Sequence, residues 1–69
     1  MKNLIKLERA RNNITQADLA DMVKVSRQTI NSIETGRFIP SALLAFKIAH
    51  VLQSSVDEIF QLEESDWSE

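Results

Sequence analysis

Arg27, Gln28, Asn31 and Ser32 carry side chains that can hydrogen-bond the edges of nucleic-acid bases. In a helix advancing about 100° per residue from Arg27, these four and Thr35 fall between about 0° and 140°, while Ile30 and Ile33 fall near 300° and 240°. A guanidinium matches the two acceptors of guanine, and a carboxamide matches the donor–acceptor pair of adenine. Any surface helix has a polar face, so the surrounding elements decide what this one means.

Those elements read as short capped helices. A first helix spans residues 4–12 and stops at Asn12-Asn13, since Asn tolerates the left-handed conformation. Thr15, with Asp18 three residues on, resembles a capping box for a second helix, Gln16–Val23. Lys24-Val25 form a tight link, Ser26 caps the third helix, Arg27–Thr35, and Gly36 stands where a terminating glycine belongs. Two helices meeting across so short a link make a helix-turn-helix. Residues 37–40 are extended, as the position before Pro40 prefers. Ser41 caps a fourth helix, Ala42–Leu52, apolar nearly all round and so expected to be the most buried. A turn at 53–55 leads to a last short helix, Val56–Phe60. Weak strand patterns near residues 1–4 and 60–63 could pair.

Composition narrows the chemistry. The chain has 69 residues, no Cys, one Gly, one Pro and 43% hydrophobic residues. That is one small domain, without disulfides, thiolate metal sites or a Gly-rich phosphate loop. No apolar run approaches a membrane span, and MKNLIKLERA is too charged for a secretion signal, so a cytoplasmic location is expected. The net charge is −2, but its distribution matters more. Residues 1–14 balance at +3, residues 15–37 at zero, 38–60 at −1, and 61–69 at −4. The division expected is a DNA-binding domain over 1–62 and an acidic tail over 63–69, pointing away from phosphates.

The run QADLADMVKVSRQTINSIETGRFIPS resembles the Cro/C1-type (xenobiotic response element) helix-turn-helix family. Gln16, Leu19-Ala20, Val25-Ser26, Ile30, Ile33-Glu34 and Gly36 match its pattern, and the likeness extends over residues 4–60. It is nearest to the very small single-domain bacterial regulators. The resemblance implies an all-α, five-helix lambda repressor-like domain that binds palindromic operators as a dimer, generally as a repressor, without cofactor or metal. It implies that Arg27 and Gln28 read bases, with Ser32 deeper along the helix and Asn31 on base or phosphate. Gln16 would grip a phosphate, Ser26, Thr29 and Thr35 would add backbone contacts, and Arg37 would bind the flanking backbone. Arg9 would pair with Glu34, tying the first helix to the third.

This chain departs from the pattern at three places. Lys24 stands where Gly is common and needs a positive φ or a different turn. Glu8 replaces an apolar residue. Phe38 and Ile39 replace polar loop residues and could cover the core, join a dimer interface or meet thymine methyls; core packing is the expectation for Phe38, and none is favoured for Ile39.

Other residues attract weaker readings. His50 lacks partners at metal or catalytic spacing and reads as a surface or half-buried helix position. Asp57-Glu58 favour a helix N-terminus through its dipole. Val56, Ile59, Leu62 and Trp67 are the expected dimer surface. Trp67 is either part of a free tail or an anchor in an interface, since Trp is enriched at hot spots. An antitoxin or other protein-interaction module, with a protein partner on the acidic tail, is the alternative function. No nucleophile–base pair or phosphate loop is visible, so an enzyme is not expected.

Overall fold

In the computed structural model, which describes residues 1–68, five helices and a two-stranded sheet follow the order β1 (Lys2–Asn3), α1 (Ile5–Arg11), α2 (Gln16–Val23), α3 (Arg27–Glu34), α4 (Ala42–Val51), α5 (Val56–Ile59) and β2 (Phe60–Gln61). A 3-10 turn, Glu64–Trp67, follows β2. Four helices end one residue earlier than the sequence suggests, Asn12 being the C-cap of α1. Thr35 and Leu52 serve as C-caps, and Phe60 leaves α5 to begin β2.

Side-chain caps fix the helix starts. Thr15 Oγ1 accepts the Asp18 amide at 3.0 Å while the Asp18 carboxylate accepts the Thr15 amide at 3.2 Å. Ser26 and Ser41 accept the amides of Thr29 and Leu44. Each cap satisfies amides that a helix start leaves unpaired.

The helix ends repeat one device. Asn13 (φ 55°), Lys24 (φ 64°), Gly36 (φ 81°) and Gln53 (φ 56°) follow α1, α2, α3 and α4 in the left-handed region. The next amide then reaches back to a carbonyl of the last turn: Ile14 to Arg9, Val25 to Ala20, Arg37 to Ser32 and Ser54 to Ala49. This is the Schellman arrangement. Lys24 therefore adopts the positive φ that the missing glycine demands.

The inner faces meet in a single core. Ile5, Leu19, Ile30, Ile33, Ile48, Leu52 and Ile59 are the largest fully buried side chains, joined by Ala20, Val23, Ala45, Ala49 and Phe60. The Asn12 amide closes α1 onto the end of α4 by donating to the Leu52 carbonyl at 3.2 Å. Glu8, unusual in an apolar register, pairs with Arg11 at 3.1 Å instead of entering the core.

Three expectations need correction. α4 buries Ala45, Ile48 and Ala49, but Leu43 and Phe46 are 67% and 64% exposed. Lys47 and His50 are exposed on the same side of α4, and they are the sequence signal of which face turns outward. Ile59 is fully buried within the chain's own core, so it is unavailable to a dimer surface. Phe38 is not a core residue: its amide bonds the Ser32 carbonyl at 3.2 Å, and its half-exposed ring lies along α3.

The two chain ends meet. Lys2 pairs with Gln61 and Asn3 with Phe60 in an antiparallel ladder. The Met1 amino group lies 3.0 Å from Glu63 and 3.1 Å from Asp66. Hydrogen bonds that it donates, first to Glu63 and then to Asp66, raise its pKa above the ordinary 8.0. Asp66 is held below its ordinary 3.8, chiefly by the Glu63 amide and then by that amino group. The acidic segment is thus folded back, with Trp67 76% exposed on the 3-10 turn. Glu69 lies outside the described residues.

Candidate nucleic-acid interface

The candidate surface is the outer side of α3, and the residues holding α3 in place determine its geometry. Ile30 and Ile33 anchor its inner face. The Asn3 amide donates to the carbonyls of Ile33 at 3.0 Å and Glu34 at 3.4 Å, securing the C-terminal end. Glu34 is held by Arg9 through two parallel bonds, Nε to Oε2 at 2.6 Å and Nη2 to Oε1 at 3.1 Å. The Arg9 and Glu34 side chains retain only 14% and 7% exposure. Arg9 Nη1 also donates to the Ile14 carbonyl, so one guanidinium fastens α1, the link to α2, and α3. A bidentate, charge-assisted pair fixes direction as well as distance.

On this frame Arg27, Gln28 and Asn31 face outward and are exposed. Two shallow recesses flank the ridge. Gln16, Arg27, Gln28 and Asn31 line one. Ser26, Gln28, Thr29, Ser32 and Phe38 line the other. Gln28 borders both. Ser32 and Thr29 are half-buried in the second recess, where Phe38 supplies an apolar wall. Sequence left Phe38 places besides the favoured core, and the structure sets it in this recess beside α3.

Hydroxyl partners limit what each group can still donate. Ser26 Oγ and Thr29 Oγ1 lie 2.9 Å apart and share one proton, leaving the other O–H free for an acceptor. Thr35 has spent its proton on the carbonyls of Asn31 (3.0 Å) and Ser32 (3.3 Å), so it has no donor left for a phosphate in this state. Arg37 is exposed directly beyond Gly36. Gln16 is not free at the start of α2: its Nε2 donates to Asn31 Oδ1 and to Glu34 Oε1, each at 3.2 Å.

The acidic segment does not point wholly away from this surface. Glu63 shares a recess with Thr35 and Gly36 at the far end of α3, although the Met1 amino group faces it. Of the expected dimer residues, Leu62 and Trp67 are exposed and Val56 is half-buried. Val56 lines an open apolar groove with Met22, Phe46, His50 and Val51, about 920 Å³ in volume. Among the described residues, no His, Asp and Glu side chains cluster as metal ligands, and no helix is long and apolar enough to cross a membrane.

Comparison with known proteins agrees with this architecture. A helix-turn-helix family model matches residues 5–59. An HTH-type transcriptional regulator of Methanocaldococcus jannaschii is 48% identical over 66 residues, covering 96% of this chain and 100% of the relative. The HTH-type transcriptional regulator YgzD of Bacillus subtilis is 42% identical, with the same coverage of 96% and 100%. The DNA-binding domain of the P22 C2 repressor superposes with a TM-score of 0.74 at 28% identity, over 86% of this chain and 84% of that one. FeII HppE, solved in complex with substrate, matches with a TM-score of 0.73 at 27% identity, over 80% of this chain but only 32% of its own length. The relatives named as regulators belong to a non-enzymatic class. With its capped α2–α3 pair, buried Arg9–Glu34 tie and repressor-type fold, the chain belongs to the Cro/C1-type helix-turn-helix family of DNA-binding transcriptional regulators.

Proposed function

We propose that this chain is a sequence-specific repressor that binds a palindromic operator as a homodimer, with α3 in the major groove. The observation carrying this reading is the outward row Arg27, Gln28 and Asn31 on a helix locked by Ile30, Ile33 and the Arg9–Glu34 pair. N-terminal residues of the second helix in this motif reach base edges. In the proposed complex Arg27 and Gln28 read bases, Ser32 and Phe38 line the adjoining recess, and Ser26, Thr29 and Arg37 meet the phosphate backbone.

One copy covers only a few base pairs, so two copies on adjacent half-sites supply the affinity. The dimer surface is the groove lined by Phe46 and Val56, supported by exposed Leu62. It shares no residue with the recesses along α3. A net charge of −2 favours weak non-specific binding, because that contribution depends on counterion release by Lys and Arg.

The test is selection of bound sites from random DNA, followed by gel shifts at several salt concentrations. Recovery of a two-fold symmetric sequence is expected. Arg27→Ala should cost ~1–3 kcal/mol at one base pair per half-site and relax specificity there. Arg37→Ala should weaken all sequences alike and lower the salt slope by about one unit. If no sequence is enriched over the starting pool, the proposal fails.

A second reading, an antitoxin-like protein with a protein partner, draws on the exposure of Trp67 beside acidic residues. Trp67→Ala separates the two: loss of a co-purifying protein with DNA affinity intact favours the partner reading.

A further inference from the structure

We propose that the acidic turn Glu64–Trp67 of one copy seats Trp67 in the apolar groove of a second copy, and that the second copy returns the contact. This rests on the homodimer reading above and names what fills its groove.

The two surfaces complement each other in shape and in charge. Trp67 is 76% exposed on its 3-10 turn, so its own chain does not cover it. The open groove, about 920 Å³, has room for an indole ring, and the flexible Met22 thioether can pack against it. Lys24, Lys47 and His50 stand on the groove rim against one carboxylate, Asp57. Among the described residues, none of Lys24, Lys47 and Asp57 takes part in an ion pair. The turn has the opposite sign, with Glu63, Glu64 and Asp66 against the Met1 amino group. Asp57 and Ser54 offer acceptors for the indole N–H, which needs a partner once buried.

The turn is ordered before a partner arrives. The Glu63 amide donates to the Asp66 carboxylate at 2.7 Å, and the Met1 amino group lies within 3.1 Å of both carboxylates. Docking a pre-ordered segment costs little further conformational entropy. The chain path makes the contact reciprocal. Val56 and Asp57 begin α5 on the groove wall. From the other end of α5 the chain runs through β2 and Leu62 to the turn. Two copies laid antiparallel across α5 therefore set each turn against the other's groove, with the exposed Leu62 side chains between. A two-fold contact repeats every interaction, so one substitution removes two contacts.

Trp67 is the chain's one tryptophan, so its fluorescence reports the site directly. Sedimentation equilibrium and tryptophan emission are followed over one dilution series of the full chain. The emission should move to the red as dimer gives way to monomer, with the same midpoint. Trp67→Ala and Phe46→Ser should each weaken dimerisation about tenfold or more. Both side chains are largely exposed, so neither change disturbs the core.

Mixing the two variants decides. Trp67→Ala keeps its groove, and Phe46→Ser keeps its tryptophan. Together they restore one of the two contacts, so the heterodimer should be about threefold tighter than either variant with itself, beyond the statistics of mixing. Adding the tryptophan-free chain should also move the emission of the Phe46→Ser chain to the blue. Packing of groove on groove gives no such rescue, and neither does a loss of stability. Should Phe46→Ser fail to fold, Lys47→Glu blocks the same groove by charge. Dimers that form without a change in emission overturn the proposal and leave the dimer reading standing. Open chains of copies overturn it as well, since the contact is then not returned. A shift produced only by another protein overturns it in favour of the partner reading. Absence of self-association at millimolar concentration removes the dimer reading with it.

Discussion

Helices α3 and α4 share a construction. Each begins on a serine whose hydroxyl accepts an amide of the first turn, each buries a few aliphatic side chains, and each ends in a left-handed turn. Their outer faces differ. α3 turns Arg27, Gln28 and Asn31 outward; α4 turns Leu43 and Phe46 outward, flanked by Lys47 and His50. Packing constrains the inner face of a helix, whereas the outer face is set by what it meets. Polar side chains held in fixed directions suit a ligand read by hydrogen bonds. An apolar outer face unneeded by the core suits another protein surface.

The largest expected effect tests whether the α3 direction is structural. Arg9→Ala leaves the Glu34 carboxylate largely buried without its cation, and should cost about 3 kcal/mol of stability in urea unfolding. An unchanged midpoint would show that Arg9 does not hold α3, and α3 would be no more fixed than α4. Next, Phe46→Ser alters the outer face of α4. It should change monomer stability by less than about 0.5 kcal/mol, yet weaken dimerisation at least tenfold, ~1.4 kcal/mol, in sedimentation equilibrium. Equal self-association of variant and wild type would remove the protein-surface reading of α4.

The shared helix ends give smaller, opposite effects. A Cβ at Gly36 meets no atom within 4 Å, so Gly36→Ala should cost about 1 kcal/mol from its positive φ alone. Lys24→Gly should gain about 0.5 kcal/mol, the relief at φ 64° being offset by a freer unfolded chain. Thermal unfolding of both variants checks the signs. If Lys24→Gly destabilises, its lysine makes a compensating contact.

The smallest effect concerns acid. The Ser55 hydroxyl at 2.7 Å, and then its amide at 3.2 Å, hold the Glu58 carboxyl below its ordinary 4.5. A depressed carboxyl contributes stability above pH 4.5 that is lost as pH falls through its folded value. Ser55 lines the groove beside α4, so the cap at that edge of the groove should weaken as pH falls through the folded value of Glu58. Glu58→Gln should flatten that part of the stability–pH curve, measured by unfolding midpoints from pH 3 to 6.

How much of this could be read from sequence depended on the range of the interaction. Caps at Thr15, Ser26 and Ser41 are local, as is the Gly36 stop, and their residue types announce them. The outward row on α3 was legible because Ile30 and Ile33 contrast with it. α4 has only Lys47 and His50 for contrast, on the same side as Leu43 and Phe46, a weaker signal among its apolar residues. Phe38 was misplaced because a backbone bond to Ser32, rather than its own hydrophobicity, sets its direction. Gln16, Asn31 and Glu34 were each singled out, but the shared Nε2 joins positions 15 and 18 residues apart and leaves no sequence signature. The partners of the Met1 amino group are more distant still.

The ladder between Lys2 and Gln61 also has a kinetic consequence. Closing a loop of nearly sixty residues costs ~4 kcal/mol in chain entropy, more than two-residue strands can offset alone. The helices must assemble first and deliver the ends to each other, so the sheet forms last and opens first. Native-state hydrogen exchange should find the Leu4 amide, bonded to the Ile59 carbonyl at 2.9 Å, opening well below the free energy needed to expose the Ile48 amide. Equal protection at the two would mean that the ends part only when the whole chain unfolds.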